Sequence, residues 1–191
     1  MIYTIGHSTH PIGQFTGLLR QHGITALADV RSTPFSRFNP QFNRKALQAS
    51  LAAAAIDYVF LGEELGARSQ DPACYENGRV SYAKLAATLP FQRGLDRLQA
   101  GMASHRIAIM CAEKEPLDCH RTILVARHLR RRGVEVTHIL ENGALEPHDS
   151  ALARLKAQLK LGVTDLFATP EALDEQAYEL RGSTMGYRIN R

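Results

Sequence analysis

The sequence has no tryptophan, and aromatic residues fill only 7% of its 191 positions. A broad surface for single-stranded nucleic acid is built on aromatic side chains that stack successive bases, so this composition argues against one. Cysteine is also scarce, with Cys74, Cys111 and Cys119 as its three instances. Three is too few, and odd, for the disulfide framework of a small secreted domain, so all three thiols are expected to be reduced. No stretch approaches the roughly 18 apolar residues that a transmembrane helix requires. The opening Met1-Ile2-Tyr3-Thr4-Ile5-Gly6-His7 lacks the basic leader and long apolar run of a secretory signal. A cytoplasmic location, with no membrane partner, is the expectation. Common site motifs are missing as well. Neither a Walker A loop nor G-x-S-x-G occurs, and Gly6-His7-Ser8-Thr9-His10 has too few glycines for a dinucleotide fingerprint.

What is present is ordinary for a globular domain: 45% hydrophobic and 22% charged residues, enough for one full core. The net charge of +4 is mildly basic, which attracts anionic ligands without approaching a histone-like balance.

Short apolar runs alternate with helical periodicity. Ile2–Ile5, Ala26–Val30, Tyr58–Leu61, Ile107–Met110 and Val134–Leu140 read as strands. Helices are expected around Phe15, Leu18 and Leu19, after an Asn43 cap, after Ser81 with Pro90 interrupting, from about Cys119 to Arg132, after Ser150, and after Thr169-Pro170. Residues 62–80 read as one long loop. This order implies a three-layer α/β fold: a mainly parallel β-sheet with helices on both faces, plus a C-terminal helical extension. The expected division is an α/β domain over residues 1–145 carrying the site, and the extension over 146–191 packed on it.

Ligands of such sheets bind beyond the carboxyl ends of the strands. Here those ends deliver His7 and Ser8, Asp29 and Arg31, Glu63 and Glu64, and Cys111 and Glu113 to one edge. If Asp118 caps the following helix, Cys119, His120 and Arg121 occupy its first turn, where free amides favour an anion and a thiolate. Asp29-Val30-Arg31-Ser32 followed by Arg37 suits phosphate or carboxylate binding, or else an Asp29–Arg31 pair that braces a loop. The candidate catalytic groups are therefore Cys111, Cys119, His120, His7 and Asp29. The candidate anion-binding groups are Arg31, Arg37, Arg121, Ser8 and Ser32. A metal reading would use Cys111, Cys119, His120 and His7. Seven residues separate the cysteines, and no CxxC or HxxxH pair occurs, so the spacing is not a standard zinc signature and no metal site is assigned. His10 is expected at the surface. The Arg130-Arg131-Arg132 run reads as a helix end rather than a nucleic-acid patch.

These residues resemble the bacterial and archaeal family called domain of unknown function 488. The resemblance rests on Thr4-Ile5-Gly6-His7-Ser8, Asp29-Val30-Arg31-Ser32 with Pro34, Ser36 and Arg37, and Pro40-Gln41-Phe42-Asn43. It continues through Tyr58, Leu61-Gly62-Glu63-Glu64-Leu65-Gly66, and Met110-Cys111-Ala112-Glu113-Lys114-Glu115-Pro116 into Cys119-His120-Arg121, spanning about residues 2–142. Ala67 departs from the two adjacent glycines usual there. The resemblance implies the same fold and the same site residues, and it carries no reaction. The expected function is a site for a phosphorylated or otherwise anionic ligand, a nucleotide or a nucleic-acid end, worked by an enzyme with a cysteine thiolate. The alternative is a non-catalytic nucleic-acid-binding or nucleotide-sensing module, and a third reading leaves these residues to structural support alone. No cofactor is specified by the sequence.

Overall fold

The computed structural model describes residues 1–162 and 168–188; the remaining parts of the expected extension lie outside the described residues. The first three strands are β1 (Ile2–Gly6), β2 (Ala26–Asp29) and β3 (Asp57–Phe60). A small antiparallel hairpin follows, β4 (Tyr75–Glu76) with β5 (Arg79–Val80). Then come β6 (Ile107–Cys111), β7 (Val136–Ile139) and β8 (Leu145–Pro147). The main sheet runs β3-β2-β6-β1-β7-β8, parallel throughout except for β8, which returns antiparallel along β7.

Burial on both faces explains the apolar runs. Ile107, Ile109 and Cys111 of β6 face one core, and Ala108 and Met110 face the other. Helices α1 (Ile12–Gln21) and α2 (Arg44–Ala52) cover the second core with Phe15, Leu18, Leu19, Leu47 and Leu51. On the first lie α3 (Gly62–Leu65), α4 (Tyr82–Ala86), α5 (Leu89–Gly101), a π-helical turn at Arg121–Ala126 and α6 (Arg127–Arg131). Two last helices, α7 (His148–Gln158) and α8 (Pro170–Met185), pack against the π turn around Leu117, Ile123, Leu152, Leu155 and Tyr178. Among the described residues no helix is long and apolar enough to cross a membrane.

Several expectations are corrected. Residues 62–80 are not one loop: they contain α3, a 3-10 turn at Pro72–Cys74 and the β4–β5 hairpin. Pro90 does not interrupt a helix; Thr88 caps a new one, accepting from the Phe91 amide, and Pro90 lies in its first turn. Helix α7 starts at His148, two residues before Ser150, because β8 leads directly into it. Asn43 precedes α2, but its side chain accepts from the Ser36 amide rather than from the helix. Asp118 does not cap the helix after β6; its carboxylate pairs with Arg181 of α8. His10 is buried. The Arg130-Arg131-Arg132 run does end a helix, α6, as expected, and each of its arginines is engaged: Arg130 with Asp149, Arg131 with Glu175, Arg132 with Asp96.

Candidate functional site

The sheet order fixes where a site can form. Strands β1 and β2, on either side of β6, lead to helices on one face, while β6 leads to the helix on the other. The chain therefore diverges at the carboxyl end of β6, which opens a crevice there. The backbone beyond the strands keeps the parallel pairing, with the His7 amide on the Cys111 carbonyl at 2.9 Å and the Ser8 amide on the Ala112 carbonyl at 2.9 Å. Gly6 makes this approach possible. A Cβ there would stand 1.9 Å from the Glu113 carbonyl oxygen.

On the face of α1 and α2 lies an ordered charge network. Asp29 is fully buried and accepts from the Arg31 amide, from Arg31 Nε at 2.9 Å, from Arg31 Nη2 at 2.6 Å and from the Tyr58 hydroxyl at 2.9 Å. Arg31 also donates to the Phe42 carbonyl at 2.9 Å and, through Nη1, to His7 Nε2 at 3.2 Å. Because a guanidinium only donates, His7 Nε2 accepts, and Nδ1 carries the proton given to the Ser8 carbonyl at 2.9 Å. His7 is thus a neutral imidazole, stacked on Phe42 with ring centres 4.3 Å apart. Burial, together with Arg31, holds its pKa down to about 4. Burial and the Asp29 charge push the Tyr58 hydroxyl above its usual range.

On the opposite face Cys111, Cys119 and His120 are all buried, and their donor atoms lie within 4.8 Å of one another. His120 Nε2 donates to the Val30 carbonyl at 3.1 Å, so Nδ1 is the ring nitrogen turned to the sulfurs, 3.5 Å from Cys111 Sγ and 4.0 Å from Cys119 Sγ. Glu113 is exposed as a residue, yet its carboxyl turns inward, with Oε2 2.9 Å from Cys119 Sγ. Two anions at that separation would repel strongly in a poorly solvated place, so the two groups share one proton. Burial raises the Cys119 thiol, but the Cys111 hydrogen bond, Arg121 and His120 outweigh it and hold Cys119 well below its usual value. Burial and the neighbouring Cys119 push the Cys111 thiol up. Burial alone would lower His120; the Cys119 and Glu113 charges raise it instead. Partial burial and Cys119 raise Glu113.

Arg121, completely buried, donates to the carbonyls of Glu113 at 2.7 Å and Lys114 at 3.2 Å. The amides of the turn that it begins are also satisfied: Arg121 N–H reaches Cys119 Sγ at 3.5 Å, and those of Thr122 and Ile123 reach the Cys119 carbonyl. The expected ring of free amides is thus consumed by Cys119 itself.

A cleft of about 780 Å³ opens over both networks. His7, Ser8, Arg31, Ser32, Cys111 and His120 line it, as expected residues; Asp29, Cys119 and Arg121 stand behind its wall, and Arg37 lies outside it, stacked over the exposed Phe38 ring at 4.9 Å. Four of the five Arg31 N–H groups are engaged, which leaves one on Nη1 for the cleft. Ser32 Oγ accepts from the Arg68 amide at 3.0 Å, bracing the far wall. Glu113, Arg68, Tyr82 and Tyr187 also line the cleft and were not among the candidates. Glu113 followed a strand in the sequence and could have been promoted on that ground. Arg68 and Tyr187, stacked at 4.6 Å, meet only through the tertiary fold.

A separate buried chain runs from β1 to α8. Thr4 Oγ1 lies 2.7 Å from His138 Nδ1, His138 Nε2 lies 3.0 Å from His148 Nδ1, and His148 Nε2 lies 2.6 Å from the Tyr178 hydroxyl.

In comparison with known families, the profile described as "Domain of unknown function DUF488" matches residues 11–128. It takes in Asp29, Arg31, Cys111, Glu113, Cys119, His120 and Arg121, and begins beyond His7. No curated protein and no solved structure matches the chain significantly.

Proposed function

This chain belongs to the DUF488 family, and from that premise we propose that it is an enzyme that binds a polar, anion-bearing ligand in the cleft and acts on it with the Cys111–Cys119–His120–Glu113 cluster on the floor. Thiolate character centres on Cys119, while Cys111, His120 and Glu113 are the members of the cluster that face the ligand. The observation that carries this reading is the burial of Arg31 and Arg121 beside the cysteines. A nucleic-acid-binding module would spread its arginines over an exposed convex face. Here Arg31 lines the cleft wall and orients His7, while Arg121 braces the Glu113–Lys114 backbone from behind.

The anion-binding element is consequently smaller than three converging arginines. It consists of the remaining Arg31 N–H, the exposed Arg68 across the cleft, and the hydroxyls of Ser8 and Ser32. Arg68→Ala removes the one cation of this group that no carboxylate engages among the described residues, without touching the buried networks. Affinity for inorganic phosphate and nucleoside monophosphates, measured by calorimetry, is expected to fall about tenfold, the equivalent of one charged hydrogen bond. Equal affinity of wild type and Arg68→Ala, or no binding to wild type, would sink the anion-site reading.

A further inference from the structure

Three donor atoms converge at the carboxyl end of β6, all within 4.8 Å of one another. In a tetrahedral zinc centre, metal–sulfur distances of about 2.3 Å and metal–nitrogen distances of about 2.0–2.1 Å separate nitrogen from sulfur by about 3.6 Å. His120 Nδ1 lies 3.5 Å from Cys111 Sγ and 4.0 Å from Cys119 Sγ. Resting on the enzymatic reading above, we propose that Cys111, Cys119 and His120 bind one zinc-class divalent ion whose fourth position opens to the cleft.

The surroundings fit that ligand set. The bond from His120 Nε2 to the Val30 carbonyl fixes the tautomer that leaves Nδ1 as the donor and holds the ring in place, as outer partners of metal-bound imidazoles do. Two sulfurs and an imidazole favour zinc over magnesium or calcium, which take oxygen. Two thiolates around a dication leave no net charge at the buried ligands. The Arg121 amide, directed at Cys119 Sγ, supports the thiolate form. Three protein ligands and an open fourth position are the pattern of catalytic rather than closed structural zinc.

Glu113, with Oε2 2.9 Å from Cys119 Sγ and facing the cleft, stands beside that open position. The reaction class that follows is hydrolysis, with water as co-reactant. An ion held by Cys111, Cys119 and His120 would displace the proton that Cys119 shares with Glu113 and would lower the pKa of a water at its open position. Glu113 would take that water's proton as the water oxygen adds to the electrophilic atom of the ligand, and would return it to the leaving group as the bond to that group breaks.

The test is made on the full chain, reduced, stripped with a chelator and titrated with Co²⁺ alone. The expected result is one equivalent per chain, with sulfur-to-cobalt charge-transfer absorption in the near ultraviolet and the intense visible bands of four-coordination. Bound metal should shield two of the three thiols from a disulfide reagent. Cys74→Ala, which alters the buried cysteine outside the donor cluster, should bind as wild type. Cys119→Ser should lose at least a hundredfold in affinity; if circular dichroism shows it unfolded, thiol shielding in wild type decides. Absence of cobalt uptake, the weak bands of six-coordination, or two thiols lost to a Cys111–Cys119 disulfide that forms while metal is offered would each overturn the site. The phosphate experiment is independent: phosphate binding without metal uptake sinks this inference alone, and metal uptake without phosphate binding sinks the anion reading alone.

Discussion

Acid should unfold this protein, and the chain Thr4–His138–His148–Tyr178 states why. Neutral imidazoles and the two terminal hydroxyls satisfy every bond of the row. A proton on one ring can be accommodated by turning a terminal hydroxyl into an acceptor, but it places a charge where there is no water, and a proton on each ring sets two N–H donors face to face. Burial, reinforced by Arg130 and opposed by Asp149, holds His148 down to about 4 from 6.5. His138 is held well below its usual value by burial, then His148 and Arg121. In the unfolded chain His148 takes up a proton as pH falls through 6.5; in the folded chain it does not until about 4. The stabilisation is therefore complete above 6.5, declines as pH falls, and is gone below 4. For His148 this amounts to about 3 kcal/mol in total, of which about 2 kcal/mol disappears between pH 7 and pH 5. Urea unfolding at those two pH values measures it. His148→Gln should start roughly 1–3 kcal/mol less stable at pH 7, for the broken buried hydrogen bonds. Its further loss on going to pH 5 should be smaller than the wild-type loss by about 2 kcal/mol. An identical pH 7-to-5 loss in the two proteins would refute the reasoning.

Two other expectations concern the scaffold of the site, alongside the Arg68 and cobalt experiments. Gly6→Ala drives a Cβ into the Glu113 carbonyl, 1.9 Å away, and should cost about 1–3 kcal/mol or more by urea midpoint, since backbone on both sides must shift; an unchanged midpoint would contradict the close approach. Tyr58→Phe deletes one donor to the buried Asp29 carboxylate and should cost roughly 1.5–3 kcal/mol by thermal unfolding, with full helical content retained.

Much of the fold was legible because parallel strands covered on both faces are written as continuous apolar runs. Ile107–Met110 is the plainest case, and Thr169-Pro170 announced α8 by its capping chemistry. Between residues 62 and 80 that signal fails. The helix α3 is one turn long, and the β4–β5 hairpin has two residues per strand, so neither is long enough to show a period. Within Thr122–Ala126 every side chain is buried, which erases the alternation that distinguishes a π turn from an α-helix. The site was legible as a set of strand ends. Its division between two faces was not, because it depends on which way the chain turns after each strand. His7 joins Arg31 and Asp29, while Cys111 joins Cys119 and His120. The fate of the arginines was hidden for another reason. Arg121 is engaged by the carbonyls of Glu113 and Lys114, and backbone acceptors have no signature in the sequence.

The π turn at Arg121–Ala126 has a consequence for how such a site can arise or vanish. A π turn carries one residue more than the α turn it replaces. Deleting one residue there would restore ordinary helix and leave α6 where it is, but would swing everything before it by about 100° around the helix axis. Cys119 and His120 would leave Cys111, while the sheet and both cores kept their pairings. In this chain the Cys111–Cys119–His120 cluster hangs on a single insertion in register, so a change of length by one residue separates the candidate site from the fold that carries it.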